Sequence, residues 1–136
     1  MIRVLRAGEM ARPELVHLLW LACEADDEAL AEIVRELPHL SVVAVVEEDR
    51  VRAFAAFEPD ADPVVIEYLA VEEEAQGRGY GRALVGAVRE AVSGRALHAE
   101  TDDDAVDFYR RLGFTISAAA PDPRWPDRPR YACVLA

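Results

Sequence analysis

Gln76-Gly77-Arg78-Gly79-Tyr80-Gly81 follows the apolar run Val64-Val65-Ile66-Glu67-Tyr68-Leu69-Ala70-Val71 and leads into an amphipathic stretch over residues 82–92. Three glycines therefore stand where a strand hands over to a helix. The first N–H groups of a helix have no intrahelical partners and its N-terminus carries partial positive charge, so a pyrophosphate fits there if no side chain blocks the approach. Glycine removes the block, and Arg78 and Arg82 add positive charge. The stretch predicts a ligand that carries phosphates.

The rest of the chain falls into place on either side of this turn. Upstream, residues 2–6 predict a short strand, and residues 12–23 set Leu15, Leu18, Leu19 and Ala22 at helical spacing behind Pro13. The acidic residues Glu24, Asp26, Asp27 and Glu28 break the helical pattern, and Leu30, Ile33, Val34 and Leu37 mark a second helix ending before Pro38. Residues 41–46 and 51–57, joined by the polar turn Glu47-Glu48-Asp49-Arg50, predict an antiparallel hairpin. Downstream, Leu84, Val85, Val88, Ala91 and Val92 form one helix face, stopped by Ser93-Gly94. A strand over residues 96–101 comes next, then a helix over 102–112 with an acidic first turn, ended by Gly113. Residues 114–119 predict a strand, 121–129 a proline-rich loop and 131–135 a last strand. The order is βααβββαβαββ, an α/β (α+β) chain with a mixed sheet covered by helices on both faces.

With 136 residues the chain is expected to fold as one domain, residues 1–136, with one site. Charge interrupts every apolar run before membrane length, so a soluble, cytoplasmic protein with no membrane partner is expected. The net charge of −11 argues against nucleic acid and welcomes a cationic substrate. All 15 basic residues are arginine, and Gln76 is the only glutamine. Cys23 and Cys133 match no metal spacing, and His17, His39 and His98 show no pairing at one, so no metal is expected.

Two familiar phosphate sites fail on spacing. A dinucleotide fingerprint wants G-x-G-x-x-G or A, but Gly77 and Gly79 lead to Arg82, while Gly79 and Gly81 lead to Leu84. A P-loop needs a lysine, and the chain has none. What remains is Gln76-x-x-Gly79-x-Gly81 after Leu69-Ala70-Val71, followed by Ala105-Val106-Asp107-Phe108-Tyr109-Arg110-Arg111-Leu112-Gly113-Phe114. Here the chain resembles the GNAT superfamily of N-acetyltransferases. The first segment is similar to that family's acyl-CoA pyrophosphate motif, Q/R-x-x-G-x-G/A, and the second to its A-x-x-F-Y-x-x-x-G-F segment. The element order also agrees, which implies a GNAT-like, mostly antiparallel central sheet flanked by helices.

The resemblance implies that the main chain of Gln76, Gly77, Arg78, Gly79, Tyr80 and Gly81, with Arg82 beside it, holds the pyrophosphate of acetyl-CoA. It implies too that Leu69, Ala70 and Val71 pair with the pantetheine arm like an added strand, with an N–H near Val71 as oxyanion donor. The pattern departs at Asp102, where the family often has asparagine; a carboxylate cannot donate as an amide does, and Asp102 reads instead as a helix N-cap. Acetyl transfer to an amine needs a neutral nucleophile, a stabilised oxyanion and a proton for the departing thiolate. Tyr109 is the expected general acid, read against a core tyrosine beside Phe108. Glu67 interrupts an apolar strand on the face of Leu69 and Val71, where strict alternation would place it near the reacting carbonyl. It stands as the base, with a water chain as the other route and a solvent-facing glutamate as the plain reading. The acidic break, Trp20, Trp125 and the 121–129 loop are candidates to wall the acceptor pocket. The implied activity is N-acetyl transfer from acetyl-CoA to a primary amine of a small molecule or peptide. The competing readings are a non-catalytic acyl-CoA-binding or sensing module and a homodimer whose acceptor site is shared between chains.

Overall fold

The computed structural model describes residues 1–136. Seven strands, β1 (Ile2–Val4), β2 (Ser41–Glu47), β3 (Arg50–Phe57), β4 (Val64–Val71), β5 (Leu97–Asp102), β6 (Thr115–Ala119) and β7 (Arg130–Leu135), form one sheet in the order β1-β2-β3-β4-β5-β7-β6. Only β4 and β5 run parallel; every other neighbouring pair is antiparallel. The helices are α1 (Pro13–Cys23), α2 (Asp27–Glu36), α3 (Tyr80–Ala91) and α4 (Val106–Arg111). The expected order βααβββαβαββ is the observed one.

The alternation of β2 explains how one sheet supports two cores. Val42 and Ala44 face α1 and α2 together with Phe54 and Ala56, whereas Val43 and Val45 face α3 with Ala55 and Phe57. Successive strand residues point to opposite faces, so a strand that is apolar at every position must be covered twice. Leu15, Leu18 and Leu19 of α1 and Leu84, Val85 and Val88 of α3 supply that cover, each no more than 5% exposed. Burying such a side chain contributes about 1.5–3 kcal/mol.

The second layer is incomplete. α1 packs on β3 and β4, and neither α1 nor α2 reaches β5, β6 or β7 in force. The C-terminal strands are therefore covered by helix on one face only. The pattern matches their composition: on β5, Leu97 and Ala99 are buried while His98 and Glu100 are not.

Candidate active site

β4 and β5 pair only at Val64↔Leu97 and Val65↔His98. Beyond these residues β4 runs on to Val71 and β5 to Asp102 without a ladder between them, so the sheet splits into a wedge. The β5-side edge of β4 from residue 66 onward is left with unpaired main-chain groups, which an extended ligand can pair with like a strand. Leu69, Ala70 and Val71 lie on that edge.

A bulge marks the start of the split. Tyr68 pairs with Ala56 and Ile66 with Phe57, which leaves Glu67 as the extra residue. Val64 and Ile66 pack toward α3, but Tyr68 and Ala70 pack toward α1 while Leu69 and Val71 pack toward α3. The expected alternation, with Glu67 on one face with Leu69 and Val71, is thus interrupted at Glu67 itself, because a bulge resets which face each later residue takes. Glu67 is exposed and lines a cleft of about 460 Å³ with His98, Glu100 and Arg130. His98, noted in the sequence only for lacking a partner at a metal spacing, is part of this cleft.

β4 ends at Val71, and a short 3-10 turn over Glu73–Ala75 carries the chain into the glycine turn. Gly77 and Gly79 have φ of +83° and +82°, and a Cβ at either would point into open space. Glycine is needed there for the left-handed backbone, and the concave side stays free of side chains. α3 starts at Tyr80, two residues earlier than the apolar pattern indicated, with Gly79 as an N-cap that supplies no side chain. No backbone N–H from Gly77 to Arg82 is taken up by the loops and caps of the protein, so a run of donors faces out at the positive end of α3. Gln76 folds back, its Nε2 donating to the Val71 carbonyl at 3.3 Å, which fixes the loop to the end of β4. Arg78 lies 3.8 Å from Glu47, and Arg82 donates to the Arg111 carbonyl at 3.3 Å. These observations fit a pyrophosphate, since donors, charge and clearance coincide.

Gly81 has a different task. A Cβ there would come within 2.4 Å of Phe108 Cε1 and 2.6 Å of Cζ. The last glycine of the turn therefore lets α4 approach α3, and it joins the two sequence motifs in one contact. Phe108 in turn meets Tyr109 edge-on at 5.1 Å, and Tyr109 meets Phe114 edge-on at 5.2 Å. Tyr109 is only 8% exposed. Burial pushes its phenol up to about 12, with the nearby Cys133 thiol a smaller contribution, and no hydrogen bond holds the hydroxyl. Burial likewise pushes the Cys133 thiol up.

Asp102 corrects an expectation. It ends β5 and is no helix N-cap: α4 begins only at Val106, with Ala105 before it. The carboxylate Oδ1 of Asp102 accepts from the Asp104 N–H at 3.0 Å, an Asx-type turn that competes with helix initiation. Its Oδ2 lies 3.2 Å from Arg128. Two further polar groups were not singled out by sequence. Glu72, 7% exposed directly after β4, is held by Arg50 at 3.0 Å and Arg52 at 3.3 Å. The Arg52 Nε is buried and ion-paired with Glu72, and it makes no hydrogen bond. Its clue was an arginine in an apolar strand; Arg52 is itself the extra residue where β3 bulges against β2. Trp20 and Trp125, candidates for the pocket wall, are 45% and 41% exposed.

Comparison with known proteins supports the same picture. A family model described as Acetyltransferase (GNAT) domain matches residues 38–116. A search of curated proteins finds no match. Among solved structures, the chain is similar to an aminoglycoside 6'-N-acetyltransferase complexed with coenzyme A (21% identity, 99% of this chain and 96% of that one, TM-score 0.81). It is similar also to an aminoglycoside 6'-acetyltransferase type Ii (25% identity, 100% and 96%, TM-score 0.80). A GNAT family acetyltransferase from Elizabethkingia anophelis with acetyl-CoA bound is a third (19% identity, 99% and 96%, TM-score 0.73). The family match runs through the strands that split, the glycine turn and the α4 contact, over more than half of the sequence, and the chain belongs to the GNAT acetyltransferase family.

Proposed function

We propose that this acetyltransferase moves an acetyl group from acetyl-CoA to a primary amine of a small molecule or peptide by direct attack. The observation that carries the reading is the succession of two features: the unpaired edge of β4 is followed, after one short turn over Glu73–Ala75, by the free N–H groups from Gly77 to Arg82. An acyl-CoA needs such a track, a strand-like edge for its amide-bearing arm and a cradle for its phosphates.

Acetyl-CoA supplies the thioester carbonyl; the amine nitrogen attacks it, a C–N bond forms, and the C–S bond breaks. Residues 76–81 with Arg82 hold the phosphates, and Leu69 to Val71 offer main-chain partners to the arm, with an N–H near Val71 available to the developing oxyanion. Tyr109 gives a proton to the departing sulfur and is reprotonated, through water, by the proton that the newly acylated nitrogen sheds. Its high pKa keeps the phenol protonated at neutral pH, so it is in the donating form before each turnover. Glu67, in the cleft beside the split, takes the proton from the incoming ammonium directly or through water. The net charge of −11 and the carboxylates Glu67 and Glu100 in the cleft favour a cationic acceptor.

Calorimetric titration with acetyl-CoA, with NADH as control, tests the donor. One-site binding of acetyl-CoA alone is expected, followed by thiol release in a panel of polyamines, amino acids, aminoglycosides and basic peptides. Absence of binding at high protein concentration would overturn the proposal.

A further inference from the structure

Closed and open ends of the split are held differently. At the closed end, Arg95, just ahead of β5, donates to the main-chain carbonyls of Pro59 and Ala61, just ahead of β4. At the open end no backbone ladder joins the two sides. There a guanidinium takes its place: Arg128, in the loop between β6 and β7, meets Asp102 Oδ2 at 3.2 Å and Asp104 Oδ2 at 2.5 Å on the β5 side, and Glu24 Oε2 at 3.8 Å on the other. Glu24 follows α1, the helix that packs on β3 and β4. Of the ion pairs in the protein, Arg128–Glu24 alone connects the part built on β1 to β4 with the part built on β5 to β7.

The two ends of this bridge are unequal. Asp102 is only 26% exposed and Arg128 33%, and two carboxylates at close range anchor the guanidinium to the end of β5. Glu24 is 62% exposed and stands farther off, in a left-handed conformation (φ 50°) that is unusual for a side chain larger than glycine. The strong end keeps Arg128 in place, and the weak end is open to competition from solvent ions.

We propose that Arg128 is a latch across the mouth of the wedge, anchored on Asp102 and Asp104, which lets go of Glu24 when a cation enters. The inference rests on reading the wedge as the acceptor cleft. In the closed form the 121–129 loop is tied to the α1–α2 junction. An acceptor with more than one positive charge can satisfy Glu24 with one group while it presents another amine toward Glu67 and Glu100. Arg128 then selects for acceptors able to replace it, so that amines with a second cationic group open the cleft more readily than simple monoamines.

Trp20 and Trp125 sit on opposite sides of this contact, Trp20 in the last turn of α1 and Trp125 accepting at its carbonyl from the Arg128 N–H at 3.0 Å. They are the only tryptophans in the chain, which gives a readout independent of turnover. The experiment is tryptophan emission and amide exchange on the full chain, for wild type, Glu24→Gln and Arg128→Gln, in low salt, in 0.5 M NaCl (about a 4 Å screening length) and with spermidine as the probe cation. In low salt, exchange over residues 24–26 and 121–129 is expected to be about 2- to 5-fold faster in Glu24→Gln than in wild type, the span an exposed ion pair supports. Salt or spermidine should bring wild type to the Glu24→Gln level and leave Glu24→Gln unchanged. Unaltered melting of Glu24→Gln shows that its fold is kept; should Arg128→Gln fail to fold, the Glu24 arm decides alone. Identical exchange and emission for wild type and Glu24→Gln in low salt, or no response of wild type to spermidine, would overturn the latch. Acetyl-CoA titration of the same samples separates the two readings, because loss of the donor reading leaves the salt and spermidine responses intact.

Discussion

Tyr109 carries two demands that pull in different directions. As a general acid it must reach the leaving sulfur, yet its ring is clamped between Phe108 and Phe114 and its phenol is pushed up to about 12 by burial. Removing the hydroxyl alone separates the roles. Tyr109→Phe keeps the ring contacts, so acetyl-CoA affinity by calorimetry should be unchanged while turnover falls about 10²- to 10⁴-fold. The same variant has a stability signature. A phenol that ionises near 10 in the unfolded chain and near 12 in the folded one favours unfolding as pH rises through that window, because only the unfolded state releases its proton. The contribution is fully present below pH 10 and lost by pH 12, with about 1.4 kcal/mol gone at pH 11. Urea melts at pH 8 and pH 11 should show wild type losing that much more stability than Tyr109→Phe. Gly81 offers a second test at this scale. Gly81→Ala drives a methyl into the Phe108 ring and should destabilise by about 1–3 kcal/mol in the same melts. Gly79→Ala meets no such contact, but the φ of +82° makes it cost about 1–2 kcal/mol, and it should lose acetyl-CoA affinity as well. The sequence announced both glycines by one motif, and only the packing distinguishes clearance for a ligand from clearance for a helix.

Strands and helices were legible wherever a residue's fate depends on its near neighbours. The valine alternation of β2, the helical spacing of α1 and α3, and the polar turn between β2 and β3 all gave elements within a residue or two of those observed. Two features were not legible, for different reasons. The bulge at Glu67 depends on the register against β3, which β4 alone does not encode. The late start of α4 reflects a run of three aspartates, each a credible N-cap; the first of them closes a turn with Asp104 and delays the helix to Val106. The β2–β3 turn also contains a correctable strain. Glu48 and Asp49 both have positive φ, 51° and 62°, the hand of a type I′ hairpin that favours Asn-Gly. Replacing Glu48 with Asn and Asp49 with Gly should stabilise the protein by about 1 kcal/mol, raising Tm by about 3–5 °C in a thermal scan. Glu47, the neighbour that meets Arg78 of the glycine loop, is left in place, so acetyl-CoA affinity should not change.

On the scale of the whole molecule the two cores are unequal partners. The layer under α3 and α4 runs from β2 across to β5 and β7, whereas the layer under α1 and α2 stops at β4. The parts on either side of the split are therefore joined through one face, by Arg95 at the closed end and by Arg128 at the mouth. A ligand that lies along the β4 edge and ends on the α3 N-terminus contributes partners where the sheet lacks them. It should therefore stabilise the native state and quiet the edges it covers. At a concentration 100 times its dissociation constant, acetyl-CoA is expected to add about 2.7 kcal/mol and raise Tm by several degrees. The local pattern discriminates more sharply than the total. Amide exchange should slow over residues 66–71 and 76–82, the free edge and the cradle, and stay unchanged over β2, whose amides are already laddered on both sides to β1 and β3. Protection confined to residues 76–82 would mean that phosphates are bound and the arm is not laid along β4. Protection over both segments, reduced at 76–82 in Gly79→Ala, would match a ligand held by strand edge and helix end together, since the positive φ of Gly79 is what turns that helix end toward it.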